Sequence, residues 1–259
     1  MMKGHRLLHT VLLVIFCISG TLTNTGLDGK ALVFPKLSAN SYVLLKPNLD
    51  QHLRQLTLCL CFFTDLTRSF SLFSAASRDH DNEVLLFRNP HGFEMCNDHW
   101  ESVCTTRDSA TGVIQLWVDE QRLPRKGAAR SYEVKPDLMV RLGQEEDSYG
   151  ACFDVEQSFV GEIAEVYLWE KVWTAKELNE TQLPVASNPL LDWTSLKFET
   201  QGGILTNPCE AKRKGTVAVS SNIPNSKHWQ GKRDPFWFSS TYLQRFIPLL
   251  LFLPNIDYF

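Results

Sequence analysis

Apolar side chains occupy both alternating faces of the stretch Leu56-Thr57-Leu58-Cys59-Leu60-Cys61-Phe62-Phe63. Successive side chains of a β-strand point to opposite sides of its sheet. A strand that is apolar on both sides is therefore predicted to lie between two covering layers. Further β-rich stretches extend outward from it at residues 41–45, 68–74, 84–87, 113–118, 138–142 and 159–169. Many short strands separated by polar turns predict an all-β fold built as a two-sheet sandwich.

One short helix interrupts this pattern, at residues 174–179. Thr174 is a suitable N-cap, and Glu177 follows three residues later, which completes the capping-box pattern. No other segment between residues 24 and 209 has clear helical periodicity. The sequence therefore predicts one short helix in addition to the sandwich.

The composition excludes one class of function. The chain has 259 residues and a formal net charge of −3, so it can hold one large β domain or two small ones. No stripe of basic residues with interleaved aromatic residues occurs along it. We therefore predict no binding to nucleic acid.

The two ends of the chain differ from its middle. Lys3, His5 and Arg6 precede an apolar run at residues 7–16, and small residues follow. This pattern predicts a secretory signal peptide at 1–23 and a secreted, extracellular product, because the run is too short to span a bilayer. The folded domain is expected at 24–209. Residues 210–259 are expected to form an atypical, disordered tail; its apolar patch at 246–253 is also too short for a membrane span.

Removal of a signal peptide would leave six cysteines in an oxidising compartment: Cys59, Cys61, Cys96, Cys104, Cys152 and Cys209. Disulfides are expected there, but the spacing alone leaves many pairings open.

An acidic loop at residues 142–150 is the most informative stretch for function, with Asp154 and Gln157 shortly after it. Its neighbouring carboxylates need solvent, a cation or raised pKa values to coexist at neutral pH. Calcium binds carboxylate, amide and backbone carbonyl oxygens, and Asp81-Asn82 offers two more such groups. The pattern is not an EF-hand, and composition alone favours a solvated acidic loop.

Several runs, taken together and in order, resemble the pentraxin family. They are Lys30–Lys36, Asp81-Asn82-Glu83, Ser109–Gly112 leading into Leu116–Asp119, Leu142–Ser148 and Ser158–Gly161. The resemblance implies a lectin-like jelly-roll sandwich that assembles as a homopentamer. It also implies a secreted protein of innate immunity that binds calcium and recognises phosphocholine-like groups on microbial or damaged-cell surfaces. Complement recognition components are implied as partners.

The resemblance also assigns sites to individual residues. One calcium ion would be held by Asp81, Asn82, Glu145, Asp147 and the backbone carbonyl of Glu146, and a second by Glu145, Asp147, Asp154 and Gln157. Phe87 would pack against the choline methyl groups of a ligand. Cys59 and Cys104 would form the intrachain disulfide of the family, and the other cysteines receive no assignment.

The chain departs from the family pattern in three places. Ser102 and Arg107 stand where the family has His and Trp, and an interior arginine would be costly unless it reaches the surface. The segment 88–103 is short and lacks a hairpin that would wall the ligand pocket and supply an acid, for which Glu94 and Glu101 are candidate substitutes. The tail after Cys209 is the third. These departures keep open the alternative of a degenerate, poorly folding copy.

Three other interpretations come from single motifs. Glu145 and Asp147 alternate as the carboxylates of a lectin-like glycoside hydrolase do, but Tyr149 takes the next position, so we predict that the chain is not an enzyme. A zinc site is an alternative for His91, Cys96, His99 and Cys104, although their spacing fits no common zinc module. Asn179 begins a glycosylation sequon.

Overall fold

The computed structural model describes residues 24–89, 99–119, 121–127, 130–146, 153–179, 188–210 and 249–252. In chain order its strands are β1 (Asn24–Thr25), β2 (Lys30–Phe34), β3 (Tyr42–Leu45), β4 (Gln55–Phe63), β5 (Phe70–Ala76), β6 (Val84–Arg88), β7 (Glu101–Asp108), β8 (Val113–Val118), β9 (Gln121–Arg122), β10 (Lys126–Gly127), β11 (Met139–Leu142), β12 (Gly161–Trp169), β13 (Lys197–Gln201), β14 (Leu205–Pro208) and β15 (Leu249–Phe252). A 3-10 turn spans Val155–Gln157, and helix α1 spans Ala175–Asn179.

The strands form two antiparallel sheets. Sheet A has the order β1-β13-β3-β11-β5-β6-β15, and sheet B has the order β10-β8-β7-β4-β12-β2-β14, with β9 paired to β8. The predicted all-β sandwich is confirmed, and each β-rich stretch of the sequence forms a strand within two residues of its predicted limits.

The central strand predicted from the sequence is β4, which lies between β7 and β12 in sheet B. Leu56, Leu58, Leu60 and Phe62 are buried on its inner face. Its outer face is covered as well, because the Thr57 hydroxyl donates to the carbonyl of Lys171 at 2.5 Å and accepts from the Trp173 amide at 3.1 Å. The inner face of β4 is therefore fully covered, and its outer face is covered at Thr57 and Cys59 but partly exposed at Cys61 and Phe63.

Helix α1 begins with the predicted capping box. The Thr174 amide donates to Glu177 Oε2 at 2.7 Å, and the Glu177 amide donates to Thr174 Oγ1 at 3.3 Å. These two bonds satisfy amide groups that the first helical turn leaves without a partner.

The disulfide between Cys59 and Cys104 joins β4 to β7 at positions that face each other in the antiparallel register. The pairing that the family resemblance implied is confirmed. Since Cys104 is part of this bond, the alternative zinc set loses one of its four ligands. His91 and Cys96 of that set lie outside the described residues.

Arg107 lies inside the protein and is 1% exposed, so the alternative that it reaches the surface is wrong. Its Nη2 donates to the carbonyl of Tyr132 at 2.6 Å, and its guanidinium carbon lies 5.7 Å from the centre of the Tyr132 ring. Burial lowers the pKa of the guanidinium, and the nearby Tyr132, Asp108 and Glu83 oppose that shift. A carbonyl, a ring and buried polar groups accommodate the charge that stands where the family has a tryptophan.

The short segment 88–103 crosses from β6 in sheet A to β7 in sheet B, and residues 90–98 of it lie outside the described residues. Strand β15 pairs with the free side of β6, with Leu250 opposite Phe87. Four residues of the segment expected to be a tail, Leu249–Phe252, are therefore part of sheet A, whereas 211–248 and 253–259 lie outside the described residues. Signal peptide, domain and tail boundaries stay predictions. Within the described ranges, the structure has no helix long and apolar enough to cross a membrane.

Candidate calcium-binding site

The first of three candidate segments is the turn between β5 and β6 that carries Asp81 and Asn82. Ser77 organises this turn, because its amide donates to the carbonyl of His80 at 2.8 Å. Its hydroxyl accepts from the amides of Asp79 and His80 at 3.3 and 3.2 Å. The turn is held by its own hydrogen bonds, and Asp81 is exposed at its end.

Glu83 anchors the same turn from the interior. It is fully buried, and its Oε2 accepts a hydrogen bond from the Tyr132 hydroxyl at 2.6 Å. Burial and then this bond raise the pKa of the Tyr132 phenol, which therefore stays protonated as the donor. The backbone immediately after Asn82 is thereby fixed to the segment before β11.

The second segment is the acidic loop that follows β11. Gly143 starts it with φ +83°, and a Cβ atom there would lie 2.3 Å from the ring of Phe34. Only glycine combines that backbone angle with such close contact. The Gly143 amide donates to the carbonyl of Leu72 at 3.3 Å, and its carbonyl accepts from the Phe159 amide at 2.9 Å. The chain therefore turns back over sheet A at this point.

Two further contacts hold the loop against the sheet. Gln144 is fully buried, and its Nε2 donates to the carbonyls of Ser38 and Ser41 at 2.5 and 3.1 Å. The amide of Glu146 donates to Ser74 Oγ at 3.3 Å. Ser74 belongs to β5, and the Asp81-Asn82 turn follows the end of that strand. The same strand therefore holds the acidic loop through Ser74 and leads into the turn.

Glu145 and Glu146 have different surroundings within this loop. Glu145 is half-buried, whereas Glu146 is fully buried and its carboxylate forms an ion pair with Arg141 of β11. One oxygen of this carboxylate is therefore engaged by Arg141. The backbone carbonyl of Glu146 is the ligand that the family resemblance assigned to this residue, and that assignment is compatible with the ion pair.

The third segment is the 3-10 turn at Val155–Gln157. Asp154 caps this turn, since its Oδ1 accepts from the Glu156 amide at 2.9 Å. Arg68, which precedes β5 in the chain, also holds this turn, because its Nη1 donates to the carbonyl of Glu156 at 2.7 Å. Asp154 is exposed and Gln157 is half-buried.

Two amide oxygens at this site are candidates for a cation. Asn82 Oδ1 and Gln157 Oε1 are both buried, and neither accepts a hydrogen bond from any described residue. A buried amide oxygen without a donor is unfavourable, whereas a calcium ion takes such oxygens as ligands. Both residues belong to the predicted ligand sets, one to each ion. Each of the two oxygens is therefore a candidate calcium ligand.

The rest of the ligand set is only partly described. Asp147, assigned to both ions, lies outside the described residues. Among the residues that are described, no three His, Cys, Asp or Glu side chains are grouped closely enough to hold a metal ion by themselves. The predicted ligand sets include amide and carbonyl oxygens in addition to carboxylates.

The residues assigned to an organic ligand have separate positions. Phe87 lies on β6 and is 8% exposed, beside β15. Glu101, a candidate for the missing acid of the pocket, is buried and forms an ion pair with Arg88 at 3.3 Å. Burial raises the pKa of Glu101 despite the nearby Arg88. Glu101 is therefore buried and paired with a residue of the other sheet, and Glu94 lies outside the described residues.

Sequence reasoning missed several residues that hold the site in place. Ser74, Tyr132 and Arg141 each position one of the candidate segments but carry no motif, and Gln144 lies in a run that resembles the family but was given no role. Arg141 gave one usable signal, a charged side chain within a short apolar strand that precedes an acidic loop. The partners of all four residues are distant in sequence or depend on the turn at Gly143.

Comparison with known proteins gives consistent results. The profile of the Pentaxin family matches residues 30–208. A mucosal pentraxin of Bos taurus is 38% identical over 78% of this chain and 98% of its own length. The C-reactive protein of Homo sapiens is 37% identical over 76% of this chain and 95% of its own length. The crystal structure of a native heptameric SAP-like pentraxin from Limulus polyphemus has a TM-score of 0.62 at 17% identity and covers 71% of this chain and 97% of its own.

Proposed function

Because the chain belongs to the pentraxin family, we propose that it is a secreted, calcium-dependent recognition protein rather than an enzyme. Its ligands would be phosphocholine-like anionic groups on microbial or damaged-cell surfaces. The observation that carries the proposal is the pair of buried amide oxygens, Asn82 Oδ1 and Gln157 Oε1, which receive no hydrogen bond within the described structure.

Two calcium ions per subunit would be held by three segments of the chain. Asp81, Asn82, Glu145, Asp147 and the Glu146 carbonyl would surround the first ion, and Glu145, Asp147, Asp154 and Gln157 the second. Bound calcium would supply positive charge that attracts phosphate oxygens. Other residues of the chain hold the ligand segments in position. Ser77 and Glu83 fix the first segment, Gln144 fixes the second and Arg68 fixes the third.

Asp154 has a smaller contribution than the other carboxylates in this scheme. One of its oxygens already caps the 3-10 turn. It is also shorter than a glutamate, so the second ion would be bound more weakly than the first.

Self-assembly would raise the affinity for surfaces. A ring of five subunits would present five sites to one surface, and weak contacts add up strongly when they are linked. The similar Limulus protein is described as heptameric, so the subunit number of this chain needs its own measurement. Complement recognition components remain proposed partners.

The experiment is capture of the secreted protein on a phosphocholine-coated surface, with calcium and with EDTA. We expect retention in calcium and release by EDTA. Glu145→Gln should abolish retention because Glu145 is assigned to both ions. Asp50→Asn, which removes one exposed carboxylate outside the three segments, should bind normally. A folded protein that is retained equally in EDTA would contradict the proposal, and absence of any soluble product would favour the degenerate copy.

A further inference from the structure

We propose that Arg141 is a positioning residue that holds the second and third segments of the calcium site in place before any cation binds. The inference rests on the proposed function for its consequence in calcium binding. Its structural part, the order of the loop in calcium-free protein, can be measured independently.

The position of Arg141 is fixed by the sheet. It lies in β11, where its backbone pairs with Leu44 of β3 on one side and with Ser74 of β5 on the other. It is 4% exposed, although it carries a charge. A charged group in such a place needs partners, because transfer of an ion from water into the protein is strongly unfavourable.

The partners of Arg141 come from the second segment, from the residue that precedes Asp154 of the third, and from β3. Its guanidinium forms the ion pair with Glu146, which ends the described part of the acidic loop. Its central carbon also lies 4.8 Å from the centre of the Tyr42 ring and 5.0 Å from that of Phe153, and the two ring centres are 5.3 Å apart. Cations bind favourably to aromatic rings at such distances.

These contacts join the sequence neighbours of two candidate ligands to one guanidinium. Glu146 is adjacent to Glu145, and Phe153 is adjacent to Asp154. Arg141 therefore connects strand β11 to Glu146, the neighbour of a residue assigned to both ions. It also connects β11 to Phe153, the neighbour of a residue assigned to the second ion. The connection is independent of calcium, because the guanidinium is permanently charged.

The ion pair also lowers the repulsion within the loop. Glu145, Glu146 and Asp147 are consecutive acids, and one of the three charges is compensated by Arg141. A loop whose charge is partly compensated needs less calcium to remain ordered. We therefore expect the segment 143–146 to stay on the sheet in the calcium-free protein.

The test uses Arg141→Met, Arg141→Lys and the double variant Arg141→Met with Glu146→Gln in the full chain. Two quantities are measured: hydrogen exchange of the Glu146 amide without calcium, and the calcium Kd. Arg141→Met should accelerate that exchange and weaken calcium binding about tenfold or more, as loss of residues that orient metal ligands does. Arg122→Met, at an exposed position of β9, should change neither.

The double variant separates positioning from stability. It has no buried charge without a partner, so its Tm should return toward the original value, whereas its calcium Kd should stay weak because the connection is still missing. Arg141→Lys keeps the charge and should recover part of the affinity. These two variants also decide the matter if Arg141→Met does not fold.

Recovery of both Tm and calcium affinity in the double variant would overturn the inference, and so would unchanged Glu146 exchange in the Arg141 variants. If the original protein binds no calcium, the proposed function fails. The exchange of the Glu146 amide still tests the position of the loop in that case.

Discussion

Sheet B and sheet A are stabilised in different ways. Sheet B is centred on β4, whose neighbours β7 and β12 pair along most of its length, and a disulfide joins it to β7. Two of the three candidate segments follow strands of sheet A, β5 and β11, and the third leads into β12 of sheet B. The anchors of these segments are polar: Arg141 with Glu146, Tyr132 with Glu83, and Gln144 with two carbonyls. One of the two edge strands of sheet A is β15, whose residues are distant in sequence from those of its partner β6. Changes in sheet B should therefore lower stability, whereas changes in sheet A should alter the site as well.

The largest effect is expected from the disulfide. Replacing both Cys59 and Cys104 by Ala should lower the free energy of unfolding by about 4 kcal/mol, because the bond closes a loop with a sequence separation of 45. Urea unfolding measures this loss. Calcium affinity of the remaining folded protein should be unchanged, since neither cysteine belongs to the site segments. Cys61→Ala in the same strand is the control, and an equal loss there would contradict the assignment of the effect to the disulfide.

Tyr132→Phe should affect both stability and the site. It removes the hydroxyl donor to the fully buried Glu83 and should cost about 2 kcal/mol, as loss of a hydrogen bond to a buried charged group does. Calcium binding should also weaken, because Glu83 anchors the Asp81-Asn82 turn. Thermal melts and calcium titration check the two effects.

Adding Glu83→Gln to Tyr132→Phe should recover part of the stability, because no buried carboxylate then remains without its donor. If the two substitutions are additive, the hydrogen bond does not hold the turn as described.

A shortened chain that ends at Glu210 tests the edge of sheet A. Without β15 the hydrogen-bonding groups of β6 are open to solvent and to other chains. We expect faster hydrogen exchange at Val84–Arg88 and stronger concentration-dependent association in sedimentation. A chain ending at Phe252 keeps β15 and is the matched control. Identical exchange in the two shortened chains would show that β15 does not protect the edge.

The smallest effect is expected at helix α1, outside the candidate site segments. Hydrogen bonds from Lys171 and from the Thr174 amide lower the pKa of Glu177 to about 2. A carboxyl whose pKa is lowered by folding stabilises the protein above its unfolded value and loses that contribution as the pH falls toward 2. Glu177→Gln should cost about 0.5 kcal/mol at pH 7, through the lost ion pair with Lys171 and the weaker, uncharged acceptor for the Thr174 amide, because glutamine can still complete the capping box and exposed ion pairs contribute little.

Melts of Glu177→Gln and the original protein between pH 7 and pH 2 check this prediction. The difference between the two proteins should shrink as the pH falls. A constant difference would mean that the charge of Glu177 contributes nothing.

The fold could be predicted from local patterns, and the anchors of the site could not. Strand β4 and the capping box of α1 follow from alternation and from residue spacing, which are local properties. Arg107 could not be placed in the interior, because its stabilising partner is the carbonyl of Tyr132, far along the chain. The ion pair of Arg141 with Glu146 depends on the turn at Gly143, which the charge pattern alone does not describe.

The predicted ligand residues came from family resemblance, and the unpaired oxygens of Asn82 and Gln157 required coordinates. The tail could not be assigned to sheet A either. Its apolar residues 249–252 follow Pro248, a position at which a proline is compatible with an edge strand, but no local signal identifies β6 as the partner.

Calorimetric titration of the secreted protein with calcium, combined with thermal melts, tests the central claim most directly. The account predicts that two ions bind per subunit and that the Tm rises with calcium concentration, because a ligand that binds only the folded state stabilises it. A folded protein that takes up no calcium, and whose Tm is the same in calcium and in EDTA, would contradict it.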